Sequence, residues 1–251
     1  MSGYLNKLGS VFIFGFRAMV SVPKRWVDWR ELIHQIYYIG VLSIPIIVIT
    51  AISLGFVLSL LSYYAMIFIN SQESVGRYIA AGILREMAPI VGGLVFIGRA
   101  ASSTTAELGL MKVSDQIASL EMIGVDVWRH VYFPRFWAIV LSFPMLVVIF
   151  SFIGLMGAYW YSVFNLNLDG GYFWSVMNEH LFVSFDVFML LIKGITFPFV
   201  IAVLTLYFGT HLKPTPVALS LASTKTVVLS AGSILVMDYF VTAIITGSWL
   251  P

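Results

Sequence analysis

Charged positions are sparse along this chain, and the apolar runs between them set its elements. No Asp, Glu, Lys or Arg falls between Glu31 and Glu73. A helix needs ~20 apolar residues to cross ~30 Å of hydrocarbon, so this run predicts a span at roughly 40–62. A second span is predicted at roughly 78–106. The uncharged stretch between Arg135 and Asp169 holds a third, at roughly 136–160. A fourth, at roughly 184–208, contains Lys193, and a fifth, at roughly 226–247, contains Asp238.

Residues 8–30 are too interrupted to span. Phe12, Phe16, Met19 and Val20 alternate with Arg17, and the basic aromatic cluster "PKRWVDWR" follows at 23–30. This pattern predicts a helix lying in the membrane interface, with Trp26 and Trp29 at headgroup level. The expected fold is an all-α integral membrane protein. It has an N-terminal interfacial region, 1–39, and a five-helix transmembrane domain, 40–251.

Composition supports that class. The chain is 60% hydrophobic and 10% charged, against about 25% charged in soluble domains, and its mean hydropathy is +0.95. Once the spans are placed, no length remains for a second soluble domain. There are no cysteines, which excludes disulfides and a thiolate metal site. The net charge of +2 is spread along the chain, which argues against nucleic-acid binding. No cleavable signal peptide is expected, because Arg17 interrupts the apolar run that follows Lys7.

The Lys and Arg distribution predicts orientation. Lys7, Arg17, Lys24, Arg25 and Arg30 precede the first span. Lys112, Arg129 and Arg135 lie in the 107–135 connection, and Lys213 and Lys225 in the 209–225 connection. The opposite side has Arg77 alone. The positive-inside rule then puts the N-terminus in the cytoplasm and the C-terminus outside.

The 112–130 connection, "KVSDQIASLEMIGVDVWRH", has order of its own. Ser114 is a candidate N-cap, with Asp115 in the first turn at the positive helix end. Ile117, Leu120 and Ile123 form an apolar stripe, Asp115 and Glu121 point away from it, and Gly124 is a stop signal. Such a helix either enters a groove on a soluble partner or packs on the chain's own helix ends.

The run "LREMAPIVGGLVFIGRAASSTTAELGLMKVSDQIASLEMIGVD", 84–126, resembles the signature of the MlaE/YrbE permease family. The resemblance continues through "PRFWAIVLSFPMLVVIF" at 134–150, "GGYFWSVM" at 170–177 and "TKTVVLSAGSILVMDYFVTAI" at 224–244. It implies a multi-pass, non-catalytic permease of an ABC transporter in the bacterial inner membrane. Such transporters move phospholipid to or from a periplasmic carrier and maintain outer-membrane lipid asymmetry. It further implies a homodimer with MlaF-type ATPases, a MlaB-type STAS protein and a hexameric MlaD-type MCE ring. The segment at about 112–128 becomes a coupling helix in which Asp115, Ile117, Leu120, Glu121, Ile123 and Gly124 meet the ATPase. The chain has no G-x-x-x-x-G-K-[ST], so ATP and Mg belong to that partner.

Arg85, Glu86, Arg99, Lys193 and Asp238 lie within spans, where a central charge costs ~2.5–3.5 kcal/mol on translocon scales. At 1.5 Å per residue, Glu86, Lys193 and Asp238 fall at one depth, roughly 12–14 Å below the outer surface. One reading makes Arg85, Glu86, Lys193 and Asp238 the lining of a lipid-headgroup cavity. The other makes them internal pairs that lock helices. The first is favoured for Arg85 and Glu86, the second for Lys193 and Asp238. Arg99 is expected to snorkel to the cytoplasmic headgroups or to cap the coupling region. Pro89 removes the hydrogen bond to the Arg85 carbonyl and kinks the helix. Gly98, Ser102 and Ala106 form a small-residue stripe, read as helix packing ahead of a dimer contact. The competing function is a stand-alone proton- or ion-coupled carrier using Glu86, Lys193 and Asp238. It lacks the internal repeat that many carriers show.

Overall fold

The computed structural model describes residues 2–21, 26–68, 74–180 and 183–249. The described residues form helices joined by turns. Helix α1 is Ser2–Val20 and α2 is Trp26–Ile39. A short 3-10 turn, Val41–Ser43, leads into α3, Ile44–Ile67. Then come α4, Val75–Gly82, α5, Ala88–Phe96, and α6, Ser102–Val113, separated by π-helical segments at Ile83–Met87 and Ile97–Ala101. Helix α7 is Gln116–Met122. A π-helical turn, Trp128–Tyr132, opens α8, Phe133–Phe164. The chain closes with α9, Gly170–His180, α10, Val183–Thr210, and α11, Pro216–Trp249.

Five stretches are long and apolar enough to cross a membrane: Trp29–Ile67, Val75–Val113, Trp128–Phe164, Phe185–Thr210 and Pro216–Gly247. All five expected spans are present, and each extends beyond its expected bounds except the fourth, which is shifted by a residue or two. The first differs most. Helix α1 ends at Val20, and the helix that begins at Trp26 already belongs to the approach to span one. The Trp26 side chain lies outside the described residues, while Trp29 is 46% exposed.

The chain divides into two units, each drawn from three stretches. Unit one comprises 1–43, 96–143 and 195–237. Its core includes Ile39, Ile97, Leu108, Phe136, Phe143, Phe197, Ile201, Leu206 and Ile234, all buried. Phe96 meets Phe143 edge-on at 5.3 Å. Thr105 Oγ1 shares a hydrogen bond with Thr226 Oγ1 at 3.0 Å, linking α6 to α11. Pro216 opens α11 at a position where its missing N–H is harmless, and Thr215 Oγ1 accepts the Ala218 N–H as a cap at 3.3 Å.

Unit two comprises 44–95, 144–194 and 238–251. Here α3 and α8 approach backbone to backbone. A Cβ on Gly55 would meet the Gly154 carbonyl and, at 2.9 Å, the Ala158 nitrogen. Small residues at such crossings admit close packing where lipid supplies no hydrophobic drive. One turn along, Ser59 and Ser162 hydroxyls meet at 2.7 Å. Helix α9 is capped by Asp169, whose Oδ1 accepts the Tyr172 N–H at 2.6 Å.

Candidate functional site

Unit two contains a polar cluster built on the segment "LREMAP". Around Ile83–Met87 the backbone slips to π-helical pairing, and the Ala88 N–H bonds the Ile83 carbonyl. Pro89 follows and has no N–H, so the Arg85 carbonyl loses its usual helical donor. A buried carbonyl without a partner is costly. Lys193 of α10 supplies the donor, with Nζ 2.7 Å from the Arg85 oxygen.

Lys193 is fully buried. Its Nζ also lies 3.0 Å from Glu86 Oε2 and 2.7 Å from Asp238 Oδ1. Thr242, one turn beyond Asp238 on α11, donates to Glu86 Oε1 at 3.4 Å. Span two, α10 and α11 are thus tied at one buried ammonium. Burying such a charge is tolerated when it is paired and hydrogen-bonded.

Arg85 points elsewhere, as its ~100° offset from Glu86 on a helix requires. Its Nε donates to Asp186 Oδ1, and its guanidinium lies 5.1 Å from the Phe185 ring centre. The Asp186 side chain is 2% exposed, whereas the Arg85 side chain is 37% exposed. Of the four sequence candidates, Glu86, Lys193 and Asp238 meet through their side chains, with Thr242 joining them, while Arg85 reaches Lys193 through its carbonyl alone and turns its guanidinium to Asp186. Sequence signals existed for both additions. Asp186 is seven residues before Lys193 and Thr242 four after Asp238, spacings that share a helix face.

Arg99 neither snorkels nor caps the coupling region. Its Nη1 donates to the Tyr38 and Ile39 carbonyls at 2.7 and 3.2 Å and to Ser43 Oγ at 2.9 Å. It closes the C-terminus of α2, where a cation satisfies orphan carbonyls. The Gly98 stripe is not used for packing at Gly98 itself, which is exposed and has no neighbour within 4 Å of an added Cβ.

The second candidate region is α7, in unit one. It is shorter than expected and starts differently. Ser114 does not cap it, because its Oγ donates back to the Leu110 carbonyl at 2.8 Å. The capping position is Asp115, which sits in the left-handed region at φ 55 and makes no side-chain cap bond. Gly124 ends the helix as expected, with φ +79. Its N–H bonds the Glu121 carbonyl and the Val125 N–H bonds the Leu120 carbonyl, each at 3.0 Å. This is the Schellman closure of a helix.

The apolar stripe on α7 divides. Ile117 and Leu120 are half-buried against the chain itself. Met122 and Ile123 are 81% and 74% exposed. Under α7 runs a cleft lined by Lys112, Asp115, Ile117, Ala118, Glu121, Tyr132, Thr210 and Pro214. Lys112 Nζ donates to the Thr210 carbonyl. The carboxylates of Asp115 and Glu121 have no ion-pair partner among the described residues. Next to Thr210, beyond the span, burial pulls the His211 imidazole below its usual range; the Lys112 charge adds to this and the Tyr207 carbonyl opposes it.

The family model "Permease MlaE" matches residues 32–244. The chain is 37% identical over 245 residues to the intermembrane phospholipid transport system permease protein MlaE of Haemophilus influenzae, covering 98% of this chain and 94% of that one. It is 30% identical over 240 residues to a probable ABC transporter permease protein of Rickettsia felis, covering 95% and 92%. It is 24% identical to the chloroplastic protein TRIGALACTOSYLDIACYLGLYCEROL 1 of Arabidopsis thaliana, covering 95% and 68%. With both the polar cluster and α7 inside the matched region, the chain belongs to the MlaE permease family.

Proposed function

We propose that this chain is the membrane permease of an ABC transporter that moves phospholipid between the inner membrane and a periplasmic carrier, and so maintains outer-membrane lipid asymmetry. The observation that carries the site assignment is the contrast between its two buried-layer cations. Lys193 is enclosed by Glu86, Asp238 and the Arg85 carbonyl. Arg85 is held by Asp186 at Nε and keeps 37% of its side chain exposed. A guanidinium offers a fork that matches phosphate in two-point contact. Arg85 is therefore the headgroup contact. Glu86, Lys193 and Asp238 are the post that fixes its backbone, and the apolar walls hold the acyl chains.

ATP and Mg are bound by a separate MlaF-type ATPase that docks on α7, where exposed Met122 and Ile123 support a partner surface, as do Asp115 and Glu121, which have no ion-pair partner among the described residues. Two copies of the chain pair in the complex, with a MlaB-type STAS protein and a MlaD-type MCE ring as further subunits. The N-terminus lies in the cytoplasm and the C-terminus in the periplasm, as the Lys and Arg asymmetry requires. The stand-alone carrier is disfavoured, because the Haemophilus relative is named a transport system permease and the Rickettsia relatives probable ABC transporter permeases.

Affinity purification of the tagged chain in mild detergent tests this function. The expected result is a copurifying P-loop ATPase and bound phospholipid. Arg85→Ala keeps the ATPase and loses most of the lipid. A chain recovered alone, lipid-free and without ATPase activity overturns the reading.

A further inference from the structure

Helix α1 turns Phe14, Gly15 and Ala18 inward among outward neighbours, and Phe14 is the large side chain of the three. Phe14 is 9% exposed, while Phe12, Ile13 and Phe16 are 78%, 71% and 69% exposed. Four aromatic rings enclose it: Trp128 at 4.9 Å, His211 at 5.3 Å, Tyr132 at 5.6 Å and Tyr207 at 6.1 Å. The neighbouring turns of α1 are fixed on the same group. Ser10 Oγ meets the Tyr207 hydroxyl at 3.1 Å, and the Arg17 guanidinium lies 4.4 Å from the Trp128 ring centre.

That cage adjoins the α7 cleft. Tyr132 touches Phe14 and also lines the cleft. His211 stacks on Tyr207 at 4.2 Å and shares a hydrogen bond with Thr210 Oγ1 at 3.0 Å. Thr210 lines the cleft and holds Lys112, which lines it too. One wall of the cleft is thus seated on Phe14, and α7 forms the facing wall. Aromatic side chains fill space with few rotamers, so removing Phe14 leaves a void into which Tyr132 and His211 relax, and the wall moves with them.

We propose that Phe14 clamps α1 to the α7 cleft, so that the seating of α1 in the membrane surface sets the shape in which the cleft receives its ATPase. Exposed Phe12, Ile13 and Phe16 give α1 the apolar face that an interfacial helix buries in the headgroup region. The clamp makes docking responsive to the bilayer. Phe14 acts here as a positioning residue, and the inference rests on α7 being the docking helix.

The chain has no native cysteine, so Ala118→Cys places a single thiol in the cleft for maleimide labelling in lipid nanodiscs. Phe14→Ala is expected to raise the labelling rate several-fold and to weaken binding of the copurified ATPase about tenfold. Phe14→Leu gives intermediate values, and Val148→Ala, at a 45% exposed position on α8 that belongs to neither α1 nor the cleft, matches wild type in both assays. An unchanged labelling rate in folded Phe14→Ala overturns the clamp, as does an equal response in Val148→Ala. If Phe14→Ala does not fold, Phe14→Leu and His211→Ala carry the same test. If labelling responds but wild type binds no ATPase, the docking reading fails and the clamp stands.

Discussion

Lys193 is the side chain on which the polar cluster depends. It is the shared partner of two carboxylates and of a carbonyl that Pro89 leaves without a helical donor. Lys193→Met leaves Glu86 and Asp238 facing each other without a cation. Removing one member of a buried pair costs about 3–5 kcal/mol, so this variant is expected to lose much of its thermal stability in detergent. Glu86→Gln is milder, because the Glu86 side chain is 34% exposed and Lys193 keeps Asp238. A melting series in which Glu86→Gln falls as far as Lys193→Met would remove Lys193 from its central role. The shared depth of Glu86, Lys193 and Asp238 was legible in the sequence, because charges are rare in spans and helical rise converts position to depth. The division of labour was not. Which cation is enclosed and which stays open follows from side-chain directions, and Asp186, which holds Arg85, lies near the start of its span, where a carboxylate is ordinary.

At the scale of elements, Pro89 and the π-helical segment before it form one device. Pro89→Ala restores an N–H that competes with Lys193 for the Arg85 carbonyl. Proline in a helix interior costs ~3 kcal/mol, so relief of that cost offsets the lost contact. The expected outcome is unchanged or raised thermal stability with less bound phospholipid, measured on the same purified sample. Equal lipid in the variant would separate Pro89 from the site. The proline itself was readable from the sequence, but the π register was not, because apolar residues surround it and no periodicity marks a one-residue slip. The ends of α7 show the same limit. Gly124 was legible because only glycine takes its positive φ without strain. Ser114 misled because a serine beside a helix bonds backward as readily as it caps. Gly124→Ala is therefore expected to cost about 1–2 kcal/mol locally. Amide exchange in 116–122 is expected to rise while exchange in the spans stays unchanged.

For the whole molecule, the five spans were legible because hydrocarbon demands long apolar helices, and their lengthening beyond the expected bounds reflects polar ends that composition alone does not assign to helix. The proposed orientation rests on Lys and Arg placement, and the cysteine-free chain permits a direct check. Ser114→Cys is expected to react with an impermeant maleimide from the cytoplasmic side, and Gly247→Cys from the periplasmic side; the reverse pattern would invert the topology and move α7 away from any cytoplasmic ATPase. Given that topology, the docking surface itself can be tested without disturbing the bundle. Leu120→Asp is a poor choice, because Leu120 is half-buried and supplies a carbonyl to the Schellman closure. Ile123 is 74% exposed, so Ile123→Asp costs the isolated permease little but places a carboxylate in the proposed ATPase interface. Leaving a charge unpaired at such a contact costs several kcal/mol, and each 1.4 kcal/mol is a tenfold loss of affinity. Ile123→Asp is expected to abolish ATPase copurification while thermal stability and bound phospholipid stay at wild-type levels. Retained ATPase would show that the partner grips the chain elsewhere, and α7 would then be a cytoplasmic connection folded on its own helix ends.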